Sequence, residues 1–97
     1  MKRYKIEYLG SFRKELKKLS AQEQLSVLKT IDIMENNPYY QSLRTKKIDS
    51  KRKDLFESRV NKDIRLLWYF EEEDDKVIAM LEVGHHDVEK QRKIQRH

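Results

Sequence analysis

The sequence predicts an α+β fold: an N-terminal strand, a helical hairpin, and then mostly antiparallel strands that form one sheet with the helices on one face. Two observations predict it. Apolar residues recur at helical spacing before residue 37, and after residue 54 they alternate with polar ones. The resulting order β-α-α-β-β-β is typical of helices packed on an antiparallel sheet. We expect a single domain over residues 1–97.

The first half of the chain is predicted to hold one strand and two helices. Arg3 to Tyr8 alternates polar and apolar residues, which indicates a half-buried strand, and Gly10 ends it. Ser11 is the expected cap of the first helix. The apolar stripe of that helix consists of Phe12, Leu16 and Leu19. Ser20 and Glu23 have the spacing of a capping box, so a second helix should begin there.

The second helix is expected to end at Asn36-Asn37-Pro38, because proline cannot continue a helix. Its predicted buried face consists of Leu25, Val27, Leu28, Ile31 and Met34. Tyr39 to Ser42 is predicted to be a loop, and Leu43 to Ile48 a strand.

The second half of the chain contains a predicted β-hairpin and a last strand. The hairpin strands are Leu55 to Val60 and Ile64 to Phe70, and Asn61-Lys62-Asp63 between them supplies turn residues. Val77 to Val83 is apolar apart from Glu82, which predicts a further strand.

The alternation within the hairpin predicts its register. If Val60 lies opposite Ile64, Phe56 faces Trp68 on the core side. The same register places Arg59 opposite Arg65 on the other side. Like charges directly opposite each other destabilise a sheet, so an anion such as phosphate is a candidate ligand for this pair. The alternative is that both arginines extend into solvent.

The excess positive charge of the chain is local. Positions 44 to 53 contain one acidic residue, Asp49, and six basic ones: Arg44, Lys46, Lys47, Lys51, Arg52 and Lys53. The net charge of this segment is 6 − 1 = +5, which equals the formal net charge of the whole chain. This distribution indicates a polyanion or an acidic protein as partner. The absence of cysteine excludes disulfides and thiolate metal sites. No apolar run approaches a membrane span, and the N-terminus lacks a secretory signal, so we expect a cytoplasmic protein.

A basic face of this kind can bind RNA, and it can also cut RNA through the 2′-hydroxyl of the substrate. That reaction needs a base, an acid for the leaving oxygen and cations around the phosphate, but no metal. His85 and His86, at the end of the next strand, are expected on the same sheet face as the paired arginines. The candidates for proton transfer are His85, His86 and Glu89, and those for holding the phosphate are Arg59, Arg65, Lys46 and Lys47. The alternative is that the histidines are ordinary surface residues. We predict no metal site, because neighbouring residues do not converge on one ion.

The chain resembles the RelE/ParE superfamily of bacterial and archaeal toxins from toxin–antitoxin pairs. Four segments in order carry the resemblance: FRKELKKL, LRTKKI, DLFESRVNKDIRLLWYF and VIAMLEVGHHDV. The most specific part is a pair of strands with one arginine late in the first and another early in the second, followed by a hydrophobic strand that ends in V-G-H.

The resemblance implies a RelE-like type II toxin that a cognate antitoxin neutralises. Relatives of the RelE type cut mRNA on the ribosome without a metal, so no cofactor or small-molecule ligand is expected. By position, Arg65 resembles the family arginine that contacts the scissile phosphate, and Arg59 resembles its neighbour across the turn. Lys46, Lys47 and Lys51 to Lys53 resemble the RNA-facing patch.

The chain also departs from the RelE pattern. His86 stands where an arginine is frequent, and Glu89 where a tyrosine is expected. Proton transfer would therefore fall to His85, His86 or Glu89. Two other functions remain open at this point: a ParE-like toxin that poisons DNA gyrase, and a non-catalytic basic module that only pairs with an antitoxin.

Overall fold

A computed structural model describes residues 2–48 and 54–85, which form one mixed sheet with helices against it. The strands are β1 (Lys5–Tyr8), β2 (Lys46–Ile48), β3 (Leu55–Arg59), β4 (Ile64–Phe70) and β5 (Val77–His85). The helices are α1 (Gly10–Lys17) and α2 (Ala21–Asn36), and a 3₁₀ turn covers Gln41–Leu43. The strand order is β1-β5-β4-β3-β2.

The sheet is antiparallel except where β1 pairs with β5 in parallel. The core lies between the sheet and the helices, where Phe12 and Met34 pack with Leu66 and Trp68. The predicted α+β fold, with the helices on one sheet face, is therefore confirmed. Within the described ranges, neither helix is long and apolar enough to cross a membrane.

Helix α2 begins at the predicted capping box. The Ser20 hydroxyl accepts from the Glu23 backbone N–H at 3.1 Å, and the Glu23 carboxylate accepts from the Ser20 N–H at 2.9 Å. The helix ends at Asn36, directly before Asn37 and Pro38, as predicted. The predicted capping box and helix end are both confirmed.

The predicted buried face of α2 was only partly right. Val27, Ile31 and Met34 are buried, but Leu25 and Leu28 are about half exposed. At 100° per residue, Leu25 lies roughly opposite the centre of the buried stripe, and Leu28 lies beside Leu25. The prediction placed five apolar residues on one face, but the geometry of the helix admits only three of them.

Helix α1 does not begin with the predicted serine cap. It begins at Gly10, and the residue before it, Leu9, makes no side-chain cap. The Ser11 hydroxyl instead donates to the Leu81 carbonyl at 2.7 Å, and the Glu15 carboxylate accepts from the Val83 N–H at 3.1 Å. Strand β1 pairs with β5 only as far as Met80, so side chains of α1 bond the edge of β5 beyond that point.

The predicted strand Leu43 to Ile48 is shorter than expected. Leu43 is buried at the end of the 3₁₀ turn, and β2 covers only Lys46–Ile48. Between them Arg44 has φ 48° and ψ 43°, in the left-handed region that non-glycine residues rarely occupy. The strand cannot extend back through a residue with that backbone conformation.

The predicted hairpin register is confirmed. Phe56 pairs with Trp68, and Arg59 pairs with Arg65. The rings of Phe56 and Trp68 are stacked with centroids 4.8 Å apart and planes at 21°. At the turn, the Asn61 Oδ1 atom accepts from the backbone N–H groups of Asp63 and Ile64, at 2.8 and 2.9 Å. The side chain therefore closes the turn as its residue type predicts.

A buried polar chain joins the loop before β2 to the hairpin. The fully buried Trp68 donates from Nε1 to the Ser58 Oγ at 2.8 Å. The hydroxyls of Ser58 and Thr45 lie 2.7 Å apart, and Thr45 donates to the Pro38 carbonyl at 2.6 Å. The indole N–H and the two hydroxyls each have a partner, so their hydrogen bonds offset the cost of removing these groups from water.

Replacing Ser58 with alanine should lower the free energy of unfolding by about 1–3 kcal/mol, because the buried Trp68 N–H would lose its acceptor. Chemical denaturation monitored by tryptophan fluorescence measures this. The matched control is Ser42→Ala at an exposed position, with an expected change within about 0.5 kcal/mol. Equal stabilities of the two variants would contradict this role of Ser58.

Candidate active site

The sheet surface away from the helices carries the paired arginines. Glu57, Arg59, Arg65 and Leu67 alternate in sequence with the core residues of β3 and β4 and therefore project from the opposite side. We call this surface the arginine face. Arg59 and Arg65 are cross-strand partners on it, and like charges in that position are mutually destabilising by up to about 1 kcal/mol.

The Arg65 guanidinium is held by the hairpin turn. Its Nη1 donates to the Asn61 carbonyl at 2.8 Å and makes a longer bond to the Ile64 carbonyl at 3.3 Å. These bonds leave the donors on Nη2 and Nε without acceptors in the described part of the chain. Arg59 likewise has no hydrogen bond or ion pair there. The Arg65 guanidinium is therefore held in place with donors to spare, and the Arg59 guanidinium has all of its donors available within the described residues. Both can donate hydrogen bonds to an incoming anion.

A cleft of about 300 Å³ lies beside Arg65, between the ends of β4 and β5 and the C-terminal half of α1. Its charged lining consists of Glu15, Lys18, Glu57, Arg65, Glu82 and His85. Gly84 borders it, and a side-chain carbon at that position would meet only open space. The sequence predicted a basic face, but three carboxylates line this cleft.

Glu57 is the most buried of these carboxylates. It is 6% exposed, and its Oε1 lies 3.4 Å from the Nζ of Lys46, its cross-strand neighbour on β2. Glu57 and Glu82 both lie in register with Leu67. Glu57, Leu67 and Glu82 therefore form a row across β3, β4 and β5 beside the arginines, and we call it the acidic row. Neither glutamate was assigned to the site from the sequence.

The described part of the predicted RNA-binding run is divided between environments. Lys46 lies on the arginine face beside Glu57. Lys47 pairs in register with Phe56, so it leaves the sheet on the other side, and it forms an ion pair with Asp54 at 3.1 Å. Arg44 is exposed in the loop. Lys51, Arg52 and Lys53 lie outside the described residues, so their predicted role stays a prediction.

His85 lies at the end of β5, in register with the core residue Ile64. This register directs its side chain towards the helices, and its Nε2 lies 3.0 Å from the Oε2 of Glu23 at the start of α2. The side chain is 43% exposed, and the residue borders the same cleft as Arg65. The expected common face is therefore wrong for His85: its side chain and that of Arg65 leave opposite faces of the sheet, and the two residues share only the lining of one cleft.

His86 and Glu89 lie outside the described residues, so their proposed catalytic roles stay predictions. The structure adds one group that the sequence analysis treated only as a helix cap, the carboxylate of Glu23. The capping-box spacing predicted its bond to Ser20. No local signal could reveal its contact with a histidine 62 positions away.

The Glu23 carboxylate has a pKa below its ordinary value. The larger cause is the hydrogen bond from the Ser20 backbone N–H, and the contact with His85 acts in the same direction. Both interactions favour the charged form of the carboxylate. A carboxylate at this position also suits the positive end of the α2 dipole.

The fold of this chain has counterparts among solved structures. No family model matches the chain, and no curated protein matches it. Solved structures do match. The archaeal RelE–RelB complex from Pyrococcus horikoshii aligns with a TM-score of 0.70 and 24% identity, over 86% of this chain and 94% of that one. This chain has the RelE-like toxin fold.

Two further structures support the same fold. The toxin–antitoxin complex RelBE2 from Mycobacterium tuberculosis aligns with a TM-score of 0.70 and 22% identity, over 87% of this chain and 99% of that one. The DinJ–YafQ toxin–antitoxin complex of E. coli aligns with a TM-score of 0.68 and 20% identity, over 89% and 96%. The predicted resemblance to RelE/ParE toxins is confirmed at the level of fold.

The contact between His85 and Glu23 predicts a specific effect on acid stability. The pKa of Glu23 is lowered in the folded state, so its contribution to stability is present above the ordinary value of 4.5 and is lost as pH falls through the folded-state pKa. His85→Ala should raise the pKa of Glu23 part of the way, because the Ser20 N–H bond remains.

Carbon-detected NMR titration of the side-chain carboxyl measures this pKa directly. Denaturation curves below pH 4.5 should fall less steeply for Glu23→Gln than for the unmodified protein. A titration of Glu23 that is the same with and without His85 would contradict the contact.

Proposed function

We propose that this protein is the toxin of a type II toxin–antitoxin system and that it cuts mRNA on the ribosome. The observation that carries the proposal is the facing pair Arg59 and Arg65 on an open sheet surface beside a cleft. Arginines at directly paired strand positions repel each other, and a phosphate bound by both would relieve that repulsion. The RelE-like fold supports the same class of function.

In the proposed reaction Arg65 and Arg59 bind the scissile phosphate. His85, which lines the same cleft from the other face of the sheet, takes the proton of the adjacent 2′-hydroxyl. The 2′-oxygen then attacks phosphorus, the bond to the 5′-oxygen breaks, and that oxygen leaves with a proton from water. The products are a 2′,3′-cyclic phosphate and a 5′-hydroxyl. The arginines stabilise the charge that develops on the phosphate oxygens. His86 and Glu89 are further proposed proton-transfer groups.

We also propose that a cognate antitoxin is the protein partner. The support is that the RelE, RelBE2 and YafQ structures were solved as complexes with antitoxins. An acidic segment of such a partner could neutralise the arginine face by charge, since Lys46, Arg59 and Arg65 lie on that face.

Inducible expression with mapping of transcript 5′ ends tests the catalytic proposal. The unmodified protein should arrest growth and create new 5′ ends within coding sequences. Arg65→Ala should reduce that cleavage by about 10²–10³-fold, as expected for loss of a transition-state cation. The matched control is Arg3→Ala, at an exposed position before β1, which should cut as the unmodified protein does.

Full cleavage by a folded Arg65→Ala variant would contradict the proposed site. Growth arrest with DNA breaks, an SOS response and intact transcripts would contradict the RNA-cleaving function and favour gyrase as the target. No growth defect at all would favour a non-catalytic binding module.

A further inference from the structure

The carboxylate of Glu23 is bonded through both of its oxygens. Oε1 accepts from the Ser20 backbone N–H at 2.9 Å, and Oε2 lies 3.0 Å from Nε2 of His85. The Ser20 hydroxyl in turn accepts from the Glu23 N–H. The first turn of α2 therefore fixes the carboxylate, and the carboxylate contacts the imidazole from a fixed position.

This contact determines which nitrogen of the neutral His85 ring carries the proton. A carboxylate is only an acceptor, so Nε2 must be the donor. The proton of the neutral ring then lies on Nε2, and Nδ1 becomes the nitrogen with a free lone pair. Nδ1 is thus the atom of His85 that can accept a proton from a substrate.

Other charged groups lie near the ring. The charged residues that line the cleft beside His85 are Glu15 of α1, Lys18 directly after α1, Glu57 of β3, Arg65 of β4 and Glu82 of β5. Glu15 already accepts from the Val83 N–H. Within the described ranges, Glu23 supplies the hydrogen bond to the ring.

We propose that Glu23 is a positioning residue that orients His85 and holds its neutral ring in the Nε2–H form, so that Nδ1 carries out proton transfer. The proposal rests on the proposed ribonuclease function. A helix cap alone does not require glutamate, because glutamine serves equally at this position of a capping box. The cap uses only Oε1 of the carboxylate, and the other oxygen, Oε2, contacts His85.

Glu23→Gln separates the two roles. Glutamine keeps the cap through its carbonyl oxygen and then presents its NH₂ group to His85. An NH₂ group is a donor, so the ring must accept through Nε2 and carry its proton on Nδ1. The substitution should reverse the tautomer while α2 keeps its first turn.

The spectroscopic test is ¹⁵N NMR of His85 at a pH where the ring is neutral. The unmodified protein should show a protonated Nε2 and an unprotonated Nδ1, and Glu23→Gln should show the reverse pattern. The matched control is Glu35→Gln, about 18 Å away along the same helix, where the carboxylate bonds Lys2 at 2.9 Å. It should leave the His85 pattern unchanged.

The activity test is mRNA cleavage on programmed ribosomes. Glu23→Gln should lower kcat on the order of 10- to 100-fold with little change in KM, which is less than the roughly 10²–10⁴-fold that a general base contributes. Glu35→Gln should cleave normally. A loss of helix stability alone would not reverse the ¹⁵N pattern.

An unchanged ¹⁵N pattern in Glu23→Gln would overturn the positioning role, whatever the activity. A reversed pattern with unchanged kcat would show that the pair plays no part in proton transfer and would also overturn it. An inactive unmodified protein with the expected ¹⁵N pattern would overturn the ribonuclease function instead, so the two failures are distinguishable.

Discussion

The register of the hairpin between β3 and β4 is the constraint on which the rest of the site depends. Because side chains alternate along a strand, a slip of one residue would send the arginines into the core and Trp68 to the surface. Three contacts oppose that slip: the Phe56–Trp68 stack, the Trp68–Ser58 hydrogen bond and the turn closed by Asn61. Burial of the core side therefore imposes the unfavourable Arg59–Arg65 pairing on the open side.

The cleft depends on how α1 meets the edge of β5. Strand β1 ends early, and the side chains of Ser11 and Glu15 bond the backbone of β5 where a further strand would otherwise pair. This arrangement brings the C-terminal half of α1 to one side of the cleft and Arg65 to the other. The position of α1 beside β5 therefore both satisfies the backbone at the edge of β5 and forms one wall of the cleft.

Much of the fold could be predicted because it follows local rules. Alternation gave the strands and the hairpin register, and residue spacing gave the capping box at Ser20 and Glu23. Ser11 was misjudged because its hydroxyl bonds Leu81, which is 70 positions away, instead of the nearby helix start. The strand before Ile48 was overestimated because nothing in the sequence showed that Arg44 adopts a left-handed conformation.

The site was less predictable than the fold for the same reason. The paired arginines followed from period-two alternation, but the acidic row beside them depends on three strands lying side by side. The prediction placed His85 on the same sheet face as the arginines because it ends the next strand. The register instead turns its ring towards α2, where the contact with Glu23 forms.

The central claim is that Arg59 and Arg65 together bind RNA phosphate. The salt dependence of binding to a single-stranded RNA oligonucleotide tests it most directly. Each neutralised phosphate contributes about 0.7 to the slope of log K against log salt. Because both arginines contact the same phosphate, replacing both with alanine should reduce that slope by about 0.7. An unchanged slope in the folded double variant would contradict the claim.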